Sequence, residues 1–308
     1  MTKKLKIGII GLGAIGKVHA DSYAANAADA EIAAVCDVSE AALNEVAAKH
    51  NVKNKFSDYR KLLASDVDAV SVCTGNTTHM EFSVAAFEAG KHVLLEKPMA
   101  MNAKQAEKIV AAAKKSRRTL QIGMVQRQGG EAQMARKYVE NGTLGNIYHM
   151  RAVLVRRRGI PGLGGWFTTK AQSGGGPLID IGVHWFDLAM YISGHWDPKS
   201  VSAKCYENFG TRMGEYRYVG MWAGPPKLDG KFDVEDHASG FVRFGKATMS
   251  FEITWAANAP DEGFVEILGD KGGVRILDGK PFTIRTEFGT DVADVCPLYP
   301  NPGNNFHN

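Results

Sequence analysis

The chain has 308 residues, 44% of them hydrophobic, and a formal net charge of +4, enough to bury a sizeable core and more in keeping with two domains than one. No Lys/Arg block with interleaved aromatics resembles a nucleic-acid surface, and Arg156-Arg157-Arg158 is too short to change that. No apolar run approaches the ~20 residues of a membrane span. Lys3, Lys4 and Lys6 before an apolar run imitate an export signal, but glycines break that run and no cleavage site follows. Cys36, Cys73, Cys205 and Cys296 show no C-x-x-C spacing, which fits reduced thiols and a cytoplasmic location.

Leu5, Ile7, Ile9 and Ile10 predict a short buried strand. It runs into Gly11-Leu12-Gly13-Ala14-Ile15-Gly16, a G-x-G-x-x-G turn opening a helix with Val18, Ala20 and Tyr23. Glu31 to Cys36 is a second strand, ending on Asp37. In a chain with 34 glycines such a hexapeptide is expected by chance ~0.4 times, so the order strand, turn, helix, strand, acid carries the argument. Gly11 permits the tight turn, Gly13 lets the backbone amides reach a pyrophosphate, and Gly16 brings helix and strand together. Gly11, Gly13, Ala14, Ile15 and Gly16 are therefore candidate cofactor contacts. Asp37 would accept hydrogen bonds from an adenosine ribose and repel a 2'-phosphate, which favours NAD over NADP.

Helical spacing follows over residues 39–50 and 59–63, and residues 67–73 form a strand. Thr74-Gly75-Asn76-Thr77-Thr78-His79 is then a loop at a carboxyl strand end, where open α/β sheets bind ligands, so Thr74, Asn76 and His79 join the cofactor candidates. A helix over 80–89, a strand at His92 to Leu95, a helix over 103–115 and a strand over 119–124 complete a βαβ succession. The expectation is a doubly wound parallel sheet in residues 1–125. Beyond it come a helix over 131–140, a long strand over 146–157, a helix over 177–192 and alternating strands over 201–206, 238–244, 247–255, 264–268, 274–277 and 282–286. Residues 126–308 thus read as an α+β domain with an open, mostly antiparallel sheet, and 209–233 as a long loop.

Three places combine ionisable side chains with loops or helix ends. In Glu96-Lys97-Pro98 the proline makes a cis bond affordable, aiming Lys97 into a cleft where partial desolvation beside a cationic ring suits proton transfer. Glu96 and Lys97 are also candidate cofactor contacts. In Ser173-Gly174-Gly175-Gly176-Pro177 through Asp187, the glycines allow close approach to a flat ligand. Asp180 and His184, four residues apart, share a helix face, and a carboxylate beside an imidazole suits proton exchange with a hydroxyl. Asp187 shares that face, but no further cluster completes a metal site, and none is expected. The third place is Arg127, with Arg156 and Arg158 on one face of the long strand; such arginines can bind sugar hydroxyls or carboxylates.

Together the G-x-G-x-x-G turn, Asp37, residues 74–79, Glu96-Lys97-Pro98, the glycine triplet through Asp180 and His184, and Gly269-Asp270-Lys271-Gly272-Gly273 resemble the glucose-fructose oxidoreductase/inositol dehydrogenase (Gfo/Idh/MocA) family over nearly the whole chain. The resemblance implies an N-terminal Rossmann domain, a C-terminal sheet domain forming homodimers or homotetramers, and NAD(P)-dependent oxidation of a secondary hydroxyl of a sugar, glycoside or inositol-like polyol. It makes Lys97, Asp180 and His184 catalytic. Arg127 sits where the family often carries an active-site arginine, and substrate contacts are expected from Lys97, Arg127, Arg156, Asp180 and His184. An NAD-dependent glycosidase and a non-catalytic dinucleotide sensor are the other activities the family offers; intact Lys97, Asp180 and His184 argue against the sensor. Two departures stand out. Gly75 replaces a usual proline, and family members usually run on past residues like Asn305-Phe306-His307 into a long helix, so a short or truncated form is expected.

Overall fold

The structure is a computed structural model describing residues 4–218, 220–277, 279 and 282–297; the chain end around Asn305, Phe306 and His307 lies outside them. The chain divides into two compact units, one up to Met124 and the other from Val125 on.

The first unit holds β1 (Leu5–Ile10), α1 (Ala14–Ala25), β2 (Ala30–Cys36), α2 (Glu40–His50), β3 (Asn54–Phe56), α3 (Tyr59–Leu63), β4 (Ala69–Val72), α4 (His79–Glu88), β5 (His92–Leu95), α5 (Ala103–Ser116) and β6 (Leu120–Ile122). The six strands run in the order β3-β2-β1-β4-β5-β6, every pairing parallel. The apolar runs thus became interior strands, with Ile9, Val35, Val72 and Leu95 entirely buried, as a sheet covered on both faces requires. Side-chain caps start three of the helices, Ser39 Oγ accepting from Ala42 N at 3.3 Å, Asp58 Oδ1 from Arg60 N at 2.9 Å and Asn102 Oδ1 from Gln105 N at 3.1 Å. The chain turns from β1 towards β2 on one side and resumes at β4 on the other. The carboxyl ends of β1 and β4 therefore form the crevice where such sheets take ligands.

The short edge strand β3 has no apolar signature, since Asn54 and Lys55 are exposed, and the sequence did not announce it. Its partner β2 dictates it: Ala34, Val35 and Cys36 pair with Asn54, Lys55 and Phe56.

The second unit contains α6 (Gly130–Glu140), β7 (Ile147–Val155), α7 (Lys170–Ser173), α8 (Val183–Ser193), β8 (Ser200–Tyr206), β9 (His237–Arg243), β10 (Thr248–Thr254), β11 (Glu262–Gly269), β12 (Gly272–Ile276), β13 (Thr283–Phe288) and β14 (Asp291–Val295). Its sheet runs β14-β13-β12-β11-β7-β10-β9-β8. Among the described residues only β7 and β10 pair in parallel in this sheet. The inward residues Met249, Phe251 and Ile253 of β10, with Trp255, pack in one core with Met150, Ala152, Leu188 and Ile192. The opposite face carries a small apolar island of Val153, Val155, Ala257 and Phe264, and Arg151 and Arg275 lie over the Phe264 ring. The edge strand β14, Asp291–Val295, is largely exposed and also escaped the sequence reading.

Two local features depart from expectation. The helix expected over 177–192 opens as a π-turn, Leu178–Gly182, before α8 begins. The strand expected to reach Arg157 ends at Val155, so alternation no longer decides where Arg156 and Arg158 point. By contrast Gly75, read above as a departure from the resembled family's proline, adopts φ −69° and ψ 152°, an angle proline prefers. A Cβ there would meet nothing within 4 Å. Gly75→Pro should therefore stabilise the protein by about 0.5–1 kcal/mol, a rise of about 1–4 °C in thermal melting; a lower melting temperature would refute this.

Candidate active site

The β1–α1 turn is shaped by contact with its own backbone. Gly11 has φ +92°, and a Cβ on it would lie 2.7 Å from the Cys73 carbonyl oxygen. A Cβ on Gly16 would overlap the Gly11 carbonyl. Gly13 is different, since its Cβ would meet nothing within 4 Å, and Gly13 and Ala14 are exposed. Helix α1 starts with no side-chain cap and no acid in its first turn, so its positive end faces open space. A pyrophosphate fits there: amides and the helix dipole attract it, and the chain's own packing gives Gly13 no reason to lack a side chain. Asp37 sits beside this turn, its two oxygens accepting from Leu12 N at 2.6 Å and Ser39 N at 2.8 Å. The neighbouring Val38 is 93% exposed and offers no cation to a 2'-phosphate.

The ends of β4 and β5 are tied by buried polar groups. His79 is fully buried, with Nδ1 2.7 Å from the Pro98 carbonyl oxygen and Nε2 3.0 Å from that of Thr74. Its imidazole therefore spans the two loops instead of facing a ligand. The Thr78 hydroxyl donates to Gly75 O at 2.9 Å, which leaves Thr74 to donate to Thr78 Oγ1 at 2.7 Å. Asn76 is buried in the same turn. The Lys97–Pro98 bond is cis, and Lys97 N donates to Glu96 Oε2 at 3.1 Å. Glu96 Oε1 meets Nε2 of His19, a buried residue of α1, at 2.9 Å. His19 gave no signal as a helix residue with no partner nearby in sequence. Burial pushes Cys36 up to about 11 and Cys73 well above its ordinary value, so neither thiol is a nucleophile at neutral pH.

Burial pushes the Glu96 carboxyl up, but the bond and charge of His19, with the amide and charge of Lys97, outweigh it and leave the group below its ordinary value. A depressed carboxyl stabilises the fold above its unfolded value and loses that contribution as pH falls through the folded one. Glu96→Gln should thus melt several degrees lower than the parent at pH 7, and the gap should close towards pH 3. Melting curves with a pH-independent gap would refute it.

In the second unit, the glycine triplet serves the chain itself. A Cβ on Gly176 would overlap the Glu235 carbonyl oxygen, and one on Gly175 would touch Ile179, so the expected approach to a flat ligand is replaced by packing against Glu235. The Glu235 carboxylate accepts from Leu178 N at 3.3 Å, fixing the start of the π-turn. That turn places Asp180, 7% exposed, with its Oδ2 3.0 Å from Trp255 Nε1–H. His184 is half-buried with its Nδ1 enclosed, so its Nε2 side is the one that can meet a substrate. π-turns inside helices are frequently found at functional sites.

Asp187 does not face Asp180 as a metal ligand would. Its Oδ2 accepts from Arg127 Nε at 2.7 Å and its Oδ1 pairs with Arg127 Nη2, and Arg127 also lies 5.0 Å from the Tyr191 ring. The pair pins Val125–Gln128 to α8. Arg158 donates to Ala257 O at 3.0 Å and Asn258 Oδ1 at 2.9 Å and covers the Phe209 ring. Arg156 lines a cavity of about 590 Å³ with Asp261, Glu262, Phe264 and Arg275, which Asp180 and His184 do not line.

Comparison with known proteins accounts for this arrangement. Residues 5–124 match the family described as "Oxidoreductase family, NAD-binding Rossmann fold", and residues 132–275 match the "GFO/IDH/MocA C-terminal domain". The D-glucoside 3-dehydrogenase of Escherichia coli is 36% identical over 91% of this chain and 79% of its own length. The levoglucosan dehydrogenase of Pseudarthrobacter phenanthrenivorans is 26% identical over 95% of this chain and 78% of its own. An oxidoreductase domain protein from Kribbella flavida superposes with a TM-score of 0.84 at 26% identity, covering 99% of this chain and 88% of that one. From the fingerprint turn to the eight-stranded sheet, the chain belongs to the Gfo/Idh/MocA family of NAD-binding oxidoreductases.

Proposed function

We propose that the protein is an NAD-dependent dehydrogenase oxidising a secondary hydroxyl of a sugar, glycoside or inositol-like polyol. The observation that carries this reading is the 36% identity with a D-glucoside 3-dehydrogenase across nine-tenths of the chain, with Lys97, Asp180 and His184 intact. The amides of Gly13, Ala14 and Ile15 would hold the pyrophosphate of NAD, and Asp37 its adenosine ribose. Thr74, Asn76 and Glu96 would line the rest of its length, with His79 holding their loops in place. Bound NAD supplies the hydride acceptor.

The chain's own groups handle the proton. His184 Nε2 takes it from the hydroxyl, Asp180 orients the imidazole, and the Lys97 ammonium holds the substrate oxygen as negative charge develops. Arg127, engaged by Asp187, acts by holding α8 and with it His184. Arg156, expected as a substrate contact, lines a cavity apart from Asp180 and His184 and has no part in this reading.

Cofactor binding and proton removal rest on different residues and should separate by mutation. Lys97→Ala or His184→Ala should lower kcat by ~100-fold or more with NAD affinity nearly unchanged, whereas Asp37→Ala should narrow the preference for NAD over NADP. A screen for NADH absorbance against inositols, monosaccharides and simple glycosides supplies the substrate. Near-native turnover in both alanine variants, or NADP binding as tightly as NAD, would overturn the assignment.

We further propose a cytoplasmic homodimer or homotetramer joined through the outer face of the eight-stranded sheet. Among the described residues no helix is long and apolar enough to cross a membrane. The apolar island on that face lies beneath arginines neutralised by Glu266, which bonds Arg151 at 3.1 Å and Arg275 at 3.0 Å; ion-paired arginines over an aromatic ring suit a protein interface. Light scattering at micromolar concentration should give a mass of at least twice 33.4 kDa, and a monomer would refute the proposal.

A further inference from the structure

Asp180 is a carboxylate almost sealed from water, and burying it is costly unless donors satisfy it. Trp255 supplies one. The indole is wholly buried, and its N–H donates to Asp180 Oδ2 at 3.0 Å. The Trp255 backbone is held on both sides as well: its N–H donates to Asp236 O at 2.9 Å, and its carbonyl accepts from Gly159 N at 2.7 Å. Asp236 in turn is anchored, its Oδ2 accepting from Phe209 N at 2.6 Å and Gly210 N at 2.9 Å. The donor is therefore fixed by the sheet and by two loops before any substrate arrives.

The acceptor, in contrast, stands in a π-turn, where the helical ladder is widened and the local backbone is a weaker constraint. From this we infer that Trp255 is a positioning residue of the reaction: its indole N–H sets the orientation of the Asp180 carboxylate. An indole suits the task because it can only donate and does not titrate, so it selects the carboxylate's geometry at every working pH. Charge-assisted bonds of this kind are the stronger class, and a misplaced carboxylate misdirects the base it orients. This inference rests on the catalytic reading of Asp180 given above.

A double-mutant cycle in the full-length protein with NAD and the substrate found by screening tests it. Trp255→Phe retains most of the ring volume and removes the donor. It should lower kcat about tenfold or more with NAD affinity changed less than about twofold. In an Asp180→Ala background the same substitution should cost less than about twofold, because the acceptor of the indole N–H is already gone. Equal fold losses in both backgrounds would mean that Trp255 acts only through packing, and no loss in the parent would mean it does not act at all; either result overturns the inference and leaves the function standing. Asp180→Asn with parental turnover would instead sink the catalytic reading and this inference together. Should Trp255→Phe fail to fold, the indole N–H resonances of ¹⁵N-tryptophan-labelled protein serve. The Trp255 signal should move in Asp180→Asn while those of the other tryptophans stay, and an unmoved signal overturns the inference.

Discussion

The close approach of the chain to itself at the β1–α1 turn is the constraint on which the first unit depends. Gly16 packs onto the Gly11 carbonyl and Gly11 onto the Cys73 carbonyl, with no room for a Cβ at either position. That contact brings the end of β1 against the end of β4 and aims the start of α1 at the crevice where the strand order reverses. Bulk at Gly11 or Gly16 would push helix and sheet apart. At Gly13, by contrast, a Cβ would meet nothing within 4 Å.

Around these backbone contacts run buried polar ties, most of them between residues far apart in sequence. His19 meets Glu96, His79 spans the Thr74 and Pro98 carbonyls, Arg127 meets Asp187, and Trp255 meets Asp180. Each satisfies a polar group that burial would otherwise penalise. Each also ends next to a residue assigned to the reaction: Glu96 beside Lys97, Asp187 one turn from His184, and Asp180 itself. The candidate side chains on loops and on the π-turn thus have neighbours tied to distant parts of the chain.

The sequence alone determined the parallel sheet, the fingerprint turn with Asp37, the alternating second sheet and the candidates Lys97, Asp180 and His184. All of these are local: apolar periodicity, glycine placement and the order of neighbouring elements are set within a few tens of residues. The tertiary structure alone decided what each polar side chain is bonded to. Arg127, read as a substrate ligand, is engaged by Asp187, and the glycine triplet, read as a ligand approach, is filled by Glu235. The edge strands β3 and β14 are largely exposed and are held by pairing with β2 and β13, which no local pattern announces. Trp255 lies 75 residues from Asp180, and no spacing rule joins them. A hydrogen bond needs two groups within about 3 Å, and only the folded chain brings such distant positions that close.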